Sequence, residues 1–138
     1  MVAPVSPNPI RIVIADDHLS VRMGIRRLLA AASDIVVVGE AGDGAQALNL
    51  VEALLPDILL LDVEMPTMDG LNVAAQLRER QSPVRVLALS AYNDRQYILG
   101  MLENGAVGYL TKDEAPAVLV DVLRRVARSS PEPGSRLG

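Results

Sequence analysis

Cysteine is absent from these 138 residues, which excludes a disulfide framework and a thiolate nucleophile. A single histidine, His18, cannot build the multi-ligand cluster of a zinc site. Tryptophan and phenylalanine are missing and only three tyrosines are present, so no aromatic platform exists on which bases could stack. The formal net charge is -4, whereas a DNA-binding segment needs a basic face to neutralise phosphates. No uncharged apolar stretch reaches the ~18 residues of a membrane span. Residues 1–9 hold three prolines and neither the basic nor the apolar part of a signal peptide, and they read as a disordered N-terminal segment. What remains fits one domain in the cytoplasm with no membrane partner.

Four apolar runs are present, and each stops on a residue with chemistry to offer. Ile12-Val13-Ile14-Ala15 ends at Asp16-Asp17, and Ile58-Leu59-Leu60-Leu61 at Asp62. Val86-Leu87-Ala88-Leu89 ends at Ser90, and Val107-Gly108-Tyr109-Leu110-Thr111 at Lys112. Near-continuous aliphatic runs are what parallel strands look like when helices cover both faces of their sheet. Ligands in such sheets bind beyond the carboxyl ends of the strands, so one polar site made of strand ends is expected. Strands are expected at 10–15, 35–40, 57–61, 84–89 and 107–111, alternating with helices near 20–31, 45–55, 70–80, 94–104 and 115–128.

The helices carry apolar stripes that should face the sheet: Val21, Ile25, Leu28, Leu29 and Ala32; Leu48, Val51 and Leu55; and Leu71, Ala74 and Ala75. The last two carry Ile98, Met101 and Leu102, then Leu119, Val122, Leu123 and Val126. Pro56, Pro83 and the pair Asn104-Gly105 punctuate the helix ends. Five βα units thus occupy residues 10–128, and residues 129–138 have the Ser/Pro/Gly composition of a linker or tail, either truncated before an output domain or ending the protein.

Convergence of Asp16, Asp17 and Asp62 would stack negative charge that needs a cation. Carboxylates are hard oxygen ligands suited to Mg²⁺, which binds through one or two carboxylates together with phosphate oxygens. A carboxylate is also a nucleophile able to form an acyl phosphate, and Asp62, ending the most apolar strand, is the candidate. Lys112 is the only lysine among thirteen basic residues. Its compact ammonium fits a cramped site beside a phosphoryl oxygen where a planar guanidinium would not. Ser90 offers a hydroxyl donor, with the small Ala91 behind it. The plainer readings are an N-cap pair for Asp16-Asp17, a turn residue for Ser90, and solvated helix faces for Arg22, Arg26, Arg27, Arg124, Arg125 and Arg128. His18 reads as a surface residue at a helix start, and Gly39-Glu40-Ala41-Gly42-Asp43-Gly44 as a turn into the second helix, its spacing being wrong for a dinucleotide fingerprint.

In combination these motifs resemble the receiver domain of two-component response regulators. They are Ala15-Asp16-Asp17-His18, the stretch from Asp57 to Gly70 with Asp62-Val63-Glu64-Met65-Pro66, Leu89-Ser90-Ala91, and Gly105 to Lys112. Val38-Gly39-Glu40-Ala41 and Gly108-Tyr109-Leu110-Thr111-Lys112-Asp113 resemble the NarL/FixJ branch, whose members usually carry a LuxR-type helix-turn-helix output domain. The resemblance implies a flavodoxin-like, CheY-like α/β fold: a five-stranded parallel sheet of order 2-1-3-4-5 in a three-layer α/β/α sandwich. It implies that Asp62 accepts a phosphoryl group from a sensor histidine kinase. Mg²⁺ would be held by Asp16, Asp17, Asp62 and the main-chain carbonyl of Glu64. Lys112 and Ser90 would contact the phosphoryl group, and Ser90 and Tyr109 would switch together. Homodimerisation on phosphorylation and DNA contact through an output domain outside this chain are further implications.

Two positions depart from the usual family pattern. Asp113 follows Lys112 where proline is frequent, and a cis bond before a non-proline residue costs ~2.5–4 kcal/mol. Glu64 adds an acidic side chain beside the phosphoryl site, so Glu64→Gln is expected to change the acyl-phosphate lifetime; an unchanged lifetime places that side chain in solvent. Two rival readings are a stand-alone receiver acting by protein contact and an Asp-nucleophile phosphatase of the haloacid-dehalogenase kind. The phosphatase has its nucleophile on the first strand as Asp-x-Asp and carries a cap domain, which this order and length do not accommodate. Any catalysis would be limited to Mg²⁺-dependent self-phosphorylation and slow autodephosphorylation, without rapid turnover.

Overall fold

The computed structural model describes residues 8–91 and 95–128. Residues 1–7 of the expected N-terminal segment at 1–9, the expected segment at 129–138, and the first residue of the expected fourth helix lie outside them. Five βα units follow one another: β1 Ile10–Ala15, α1 Leu19–Leu29, β2 Ile35–Ala41, α2 Gly44–Leu54, β3 Ile58–Asp62, α3 Gly70–Glu79, β4 Arg85–Ser90, α4 Arg95–Glu103, β5 Gly108–Thr111 and α5 Ala115–Arg128. All pairings are parallel and the order is β2-β1-β3-β4-β5, as expected.

Alternation along each strand sends neighbouring side chains to opposite faces. Ile12, Ile14, Ile58, Leu60, Leu87 and Leu89 form one core with Ile25 and Leu29 of α1 and Leu119, Leu123 and Val126 of α5. Val13, Ala15, Leu59, Leu61, Val86 and Ala88 form the other, with Leu48 and Val51 of α2, Val73 and Leu77 of α3 and Met101 of α4. β3 lies in the middle of the sheet, and Ile58 to Leu61 are wholly buried.

Several helix faces differ from the expected stripes. Leu55 is exposed because α2 has already ended: it is the C-cap, turned into the left-handed region at φ 49°. α3 buries Gly70, Val73, Ala74 and Leu77, with Leu71 half-buried against the same core and Ala75 half-buried, a rotation of the stripe that brings Gly70 against the sheet. Leu102 of α4 is exposed, and Ala32 is buried in the turn after α1, not on the helix. Two helix starts, those of α2 and α3, are capped by carboxylates. Asp43 accepts from Gln46 N while Gln46 Oε1 accepts from Gly42 N, and Asp69 accepts from Asn72 N. The basic faces are partly paired: Arg124 grips Asp34 through two bonds of 2.8 and 2.9 Å, and Arg22 and Arg26 both reach Glu40.

Candidate functional site

Strand register gathers the site. Ala15 pairs with Leu61, so the residues that follow, Asp16 and Asp62, leave adjacent strands side by side at the point where the sheet order reverses. Ser90 closes β4 opposite Thr111, and Lys112 N donates to Ser90 O at 2.7 Å, which carries the ladder one residue further and holds the lysine at the same end. Asp16, Asp62 and Ser90 are the buried polar residues here, all at most 5% exposed. The expected convergence of Asp16, Asp62, Ser90 and Lys112 at one strand-end site is therefore present, with Asp17 at its rim.

Lys112 Nζ lies 2.8 Å from Asp16 Oδ2 and 3.4 Å from Asp62 Oδ2. Asp62 Oδ1 accepts from Glu64 N at 3.2 Å. Burial pushes the Asp62 carboxyl up to about 6 and the charge of Asp16 adds to this, against the pull of Lys112 and the Glu64 N–H. For Lys112 burial works against the ammonium, but the contacts with Asp16 and Asp62 outweigh it and hold its pKa above the ordinary value.

The loop from β3 to α3 forms one wall. Met68 N donates to Pro66 O at 2.8 Å, a three-residue turn around Thr67, whose φ of 72° is an unfavourable conformation for a β-branched residue. Gly70, which opens α3, donates its N–H to Val63 O at 2.9 Å. A Cβ there would stand 2.6 Å from Asp62 O. Neither feature was drawn from the sequence, although the run Met65-Pro66-Thr67-Met68-Asp69-Gly70 marks the place.

One ligand atom from each of Asp16, Asp17, His18 and Asp62 lies within 4.8 Å of every other. Asp16 Oδ2 is buried and receives no hydrogen bond of good geometry, the Lys112 ammonium being its ion-pair neighbour. A hard carboxylate set with such an oxygen fits a divalent cation. Asp16 and Asp17 are not an N-cap pair; the N-cap of α1 is His18, whose N–H donates to Asp16 Oδ1. Its ring is exposed as expected, yet Nδ1 approaches both carboxylates. Glu64 is exposed and its carboxylate is outside this set. Tyr109, on β5, is exposed. No described peptide bond is cis, so Lys112-Asp113 is trans. None of the described helices is long and apolar enough to cross a membrane.

A doubly wound sheet with an acidic pocket, a hydroxyl and a lysine at its strand ends defines the receiver class, and the comparisons agree. The model of the response regulator receiver domain family matches residues 12–124, and the chain belongs to that family. It is 43% identical over 122 residues to the probable transcriptional regulatory protein NarL of Mycobacterium tuberculosis, covering 88% of this chain and 56% of that protein. It is 41% identical to the nitrate/nitrite response regulator protein NarL of Escherichia coli, covering 87% and 56%. The solved signal receiver domain of the putative response regulator NarL from Mycobacterium tuberculosis superposes with a TM-score of 0.84, covering 88% of this chain and 98% of that one. The chain spans about half the length of the curated relatives it matches.

Proposed function

We propose that residues 10–128 are a phosphoacceptor receiver domain in which Asp62 takes a phosphoryl group from a phosphohistidine of a sensor histidine kinase, in the cytoplasm. The observation that carries this reading is the geometry around Asp62: a buried carboxylate with an ammonium at 3.4 Å and a second buried carboxylate sharing that ammonium. One Asp62 oxygen attacks phosphorus, the bond from phosphorus to the donor imidazole nitrogen breaks, and its electron pair returns to that nitrogen. Asp16, Asp17, Asp62 and the main-chain carbonyl of Glu64 would hold Mg²⁺, which when bound would offset the charge that carboxylates and phosphoryl oxygens bring together. Lys112 turns from the carboxylates to a phosphoryl oxygen, and Ser90 donates its hydroxyl to another.

Tyr109 then changes rotamer from its exposed position, and the surface formed by α4 and β5 is remodelled. The new charge biases a two-state element by the difference in its interaction energy with the two states. In the whole protein the receiver controls a DNA-binding output of the kind that the relatives' description as regulatory proteins suggests, and phosphorylation promotes a homodimer. Incubation with Mg²⁺ and a small phosphodonor, followed by intact mass, tests the acceptor. The wild type is expected to gain one phosphoryl group, lost on treatment of the denatured protein with alkali or hydroxylamine as an acyl phosphate is, and Asp62→Asn to gain none. Equal labelling of Asp62→Asn would sink the assignment.

A further inference from the structure

We propose that His18 Nδ1 is an additional ligand of the cation held by Asp16, Asp17 and Asp62, and that it shifts the site's preference from Mg²⁺ toward imidazole-seeking first-row ions such as Ni²⁺. The inference rests on the reading of those carboxylates as a cation site and adds a nitrogen donor to it.

The spacing is that of a coordination shell. Nδ1 lies 3.1 Å from Asp17 Oδ1 and 3.3 Å from Asp16 Oδ1. Adjacent ligands of an octahedral ion with bonds of ~2.1–2.3 Å stand ~3.0–3.3 Å apart, the bond length multiplied by the square root of two. The 4.8 Å that spans all four donors slightly exceeds the ~4.2–4.6 Å between opposite ligands of such an ion, and a small side-chain movement closes it.

His18 is free to make that movement at the ring and not at the backbone. Its side chain is 64% exposed and makes no capping bond to α1, so the imidazole is not committed to the helix. The main chain is anchored: its N–H donates to Asp16 Oδ1 at 2.8 Å and its carbonyl accepts from Val21 N and Arg22 N. Mg²⁺ prefers oxygen and gains little from imidazole, whereas Ni²⁺ and its neighbours gain much. An Nδ1–H donated to the two carboxylates accounts for the same distances, and that arrangement gives way when a cation enters.

The chain's one imidazole makes the test clean. Pulsed electron paramagnetic resonance on Mn²⁺ bound to the untagged chain is expected to show coupling to a directly bound nitrogen. The frequency should change when the protein carries ¹⁵N-histidine, and the coupling should vanish in His18→Gln. Calorimetric titration should show Ni²⁺ affinity falling about tenfold or more in His18→Gln while Mg²⁺ affinity stays within about twofold. Bound Mn²⁺ without nitrogen coupling, together with equal Ni²⁺ affinity in the two proteins, overturns the role of His18 and leaves the carboxylate site standing. Failure of the wild type to bind Mn²⁺ or Mg²⁺, or binding undiminished in Asp17→Asn and Asp62→Asn, overturns the site reading itself.

Discussion

Asp62→Asn is expected to raise the melting temperature of the metal-free protein at pH 8, although it removes the residue on which the proposed chemistry depends. Burial and the neighbouring Asp16 raise the folded-state pKa of Asp62 from 3.8 to about 6. Between those values the folded chain keeps a proton that the unfolded chain has released. Its stability therefore falls as pH rises through that window and stays lower above it. The cost of ionised Asp62 is about 2–3 kcal/mol, and a neutral amide of the same shape escapes it. The gain at pH 8 should be several degrees and should shrink toward zero near pH 4, where the wild-type carboxyl is protonated in the folded state. Thermal unfolding followed by circular dichroism in chelator, at pH 4, 6 and 8, reads both. Equal melting at pH 8, or a difference that persists unchanged at pH 4, would contradict the electrostatic account. Added Mg²⁺ should narrow the gap by stabilising the wild type more.

Gly70→Ala should be the most damaging small substitution in the site's wall. The new Cβ would meet Asp62 O at 2.6 Å, Val63 Cα at 2.9 Å and Val63 O at 3.2 Å, all backbone atoms of β3 or of the residue after it. Backbone in the middle of a sheet cannot yield as a flexible side chain can, so the start of α3 must move away and strain the bond from Gly70 N to Val63 O. A loss of about 3 kcal/mol or more is expected, with weakened cation binding because the loop from β3 to α3, which carries Glu64, shifts with the start of the helix. Gly24→Ala is the control. It lies at an exposed position of α1 with nothing within 4 Å of the added carbon, and alanine there should be neutral or stabilising by ~0.5–1 kcal/mol. Urea midpoints measure both. Gly70→Ala within about 1 kcal/mol of wild type would show that the loop gives way where the geometry says it cannot.

These two positions mark how far the sequence could be read. Strands were legible because burial on both faces demands unbroken aliphatic runs. The site was legible because each run broke on a residue whose chemistry made sense beside the others. Gly70 was visible as a letter but not as a close approach, since its neighbour is the carbonyl of Asp62, eight positions away across a turn. The exposed Leu55 and Leu102 misled in the opposite sense: an apolar side chain on a helix shows period but not where the helix stops or how it is rotated. Pairs such as Arg124 with Asp34, or Arg22 and Arg26 with Glu40, join distant elements and leave no local mark. His18 adjoins the acidic pair in sequence, but the approach of its ring to both carboxylates became visible only in three dimensions.

Lys112, the single lysine of the chain, sits where two buried carboxylates need it. Side-chain amine chemistry on this chain is therefore confined to one atom, at the strand-end site. Acylation would turn that ammonium into a neutral amide and leave the carboxylates facing each other, so such a reagent both silences the site and reports on it. On the proposed reading, the rate at which the amine is lost to the reagent should follow what the carboxylates hold, an occupancy gauge that needs no engineered label.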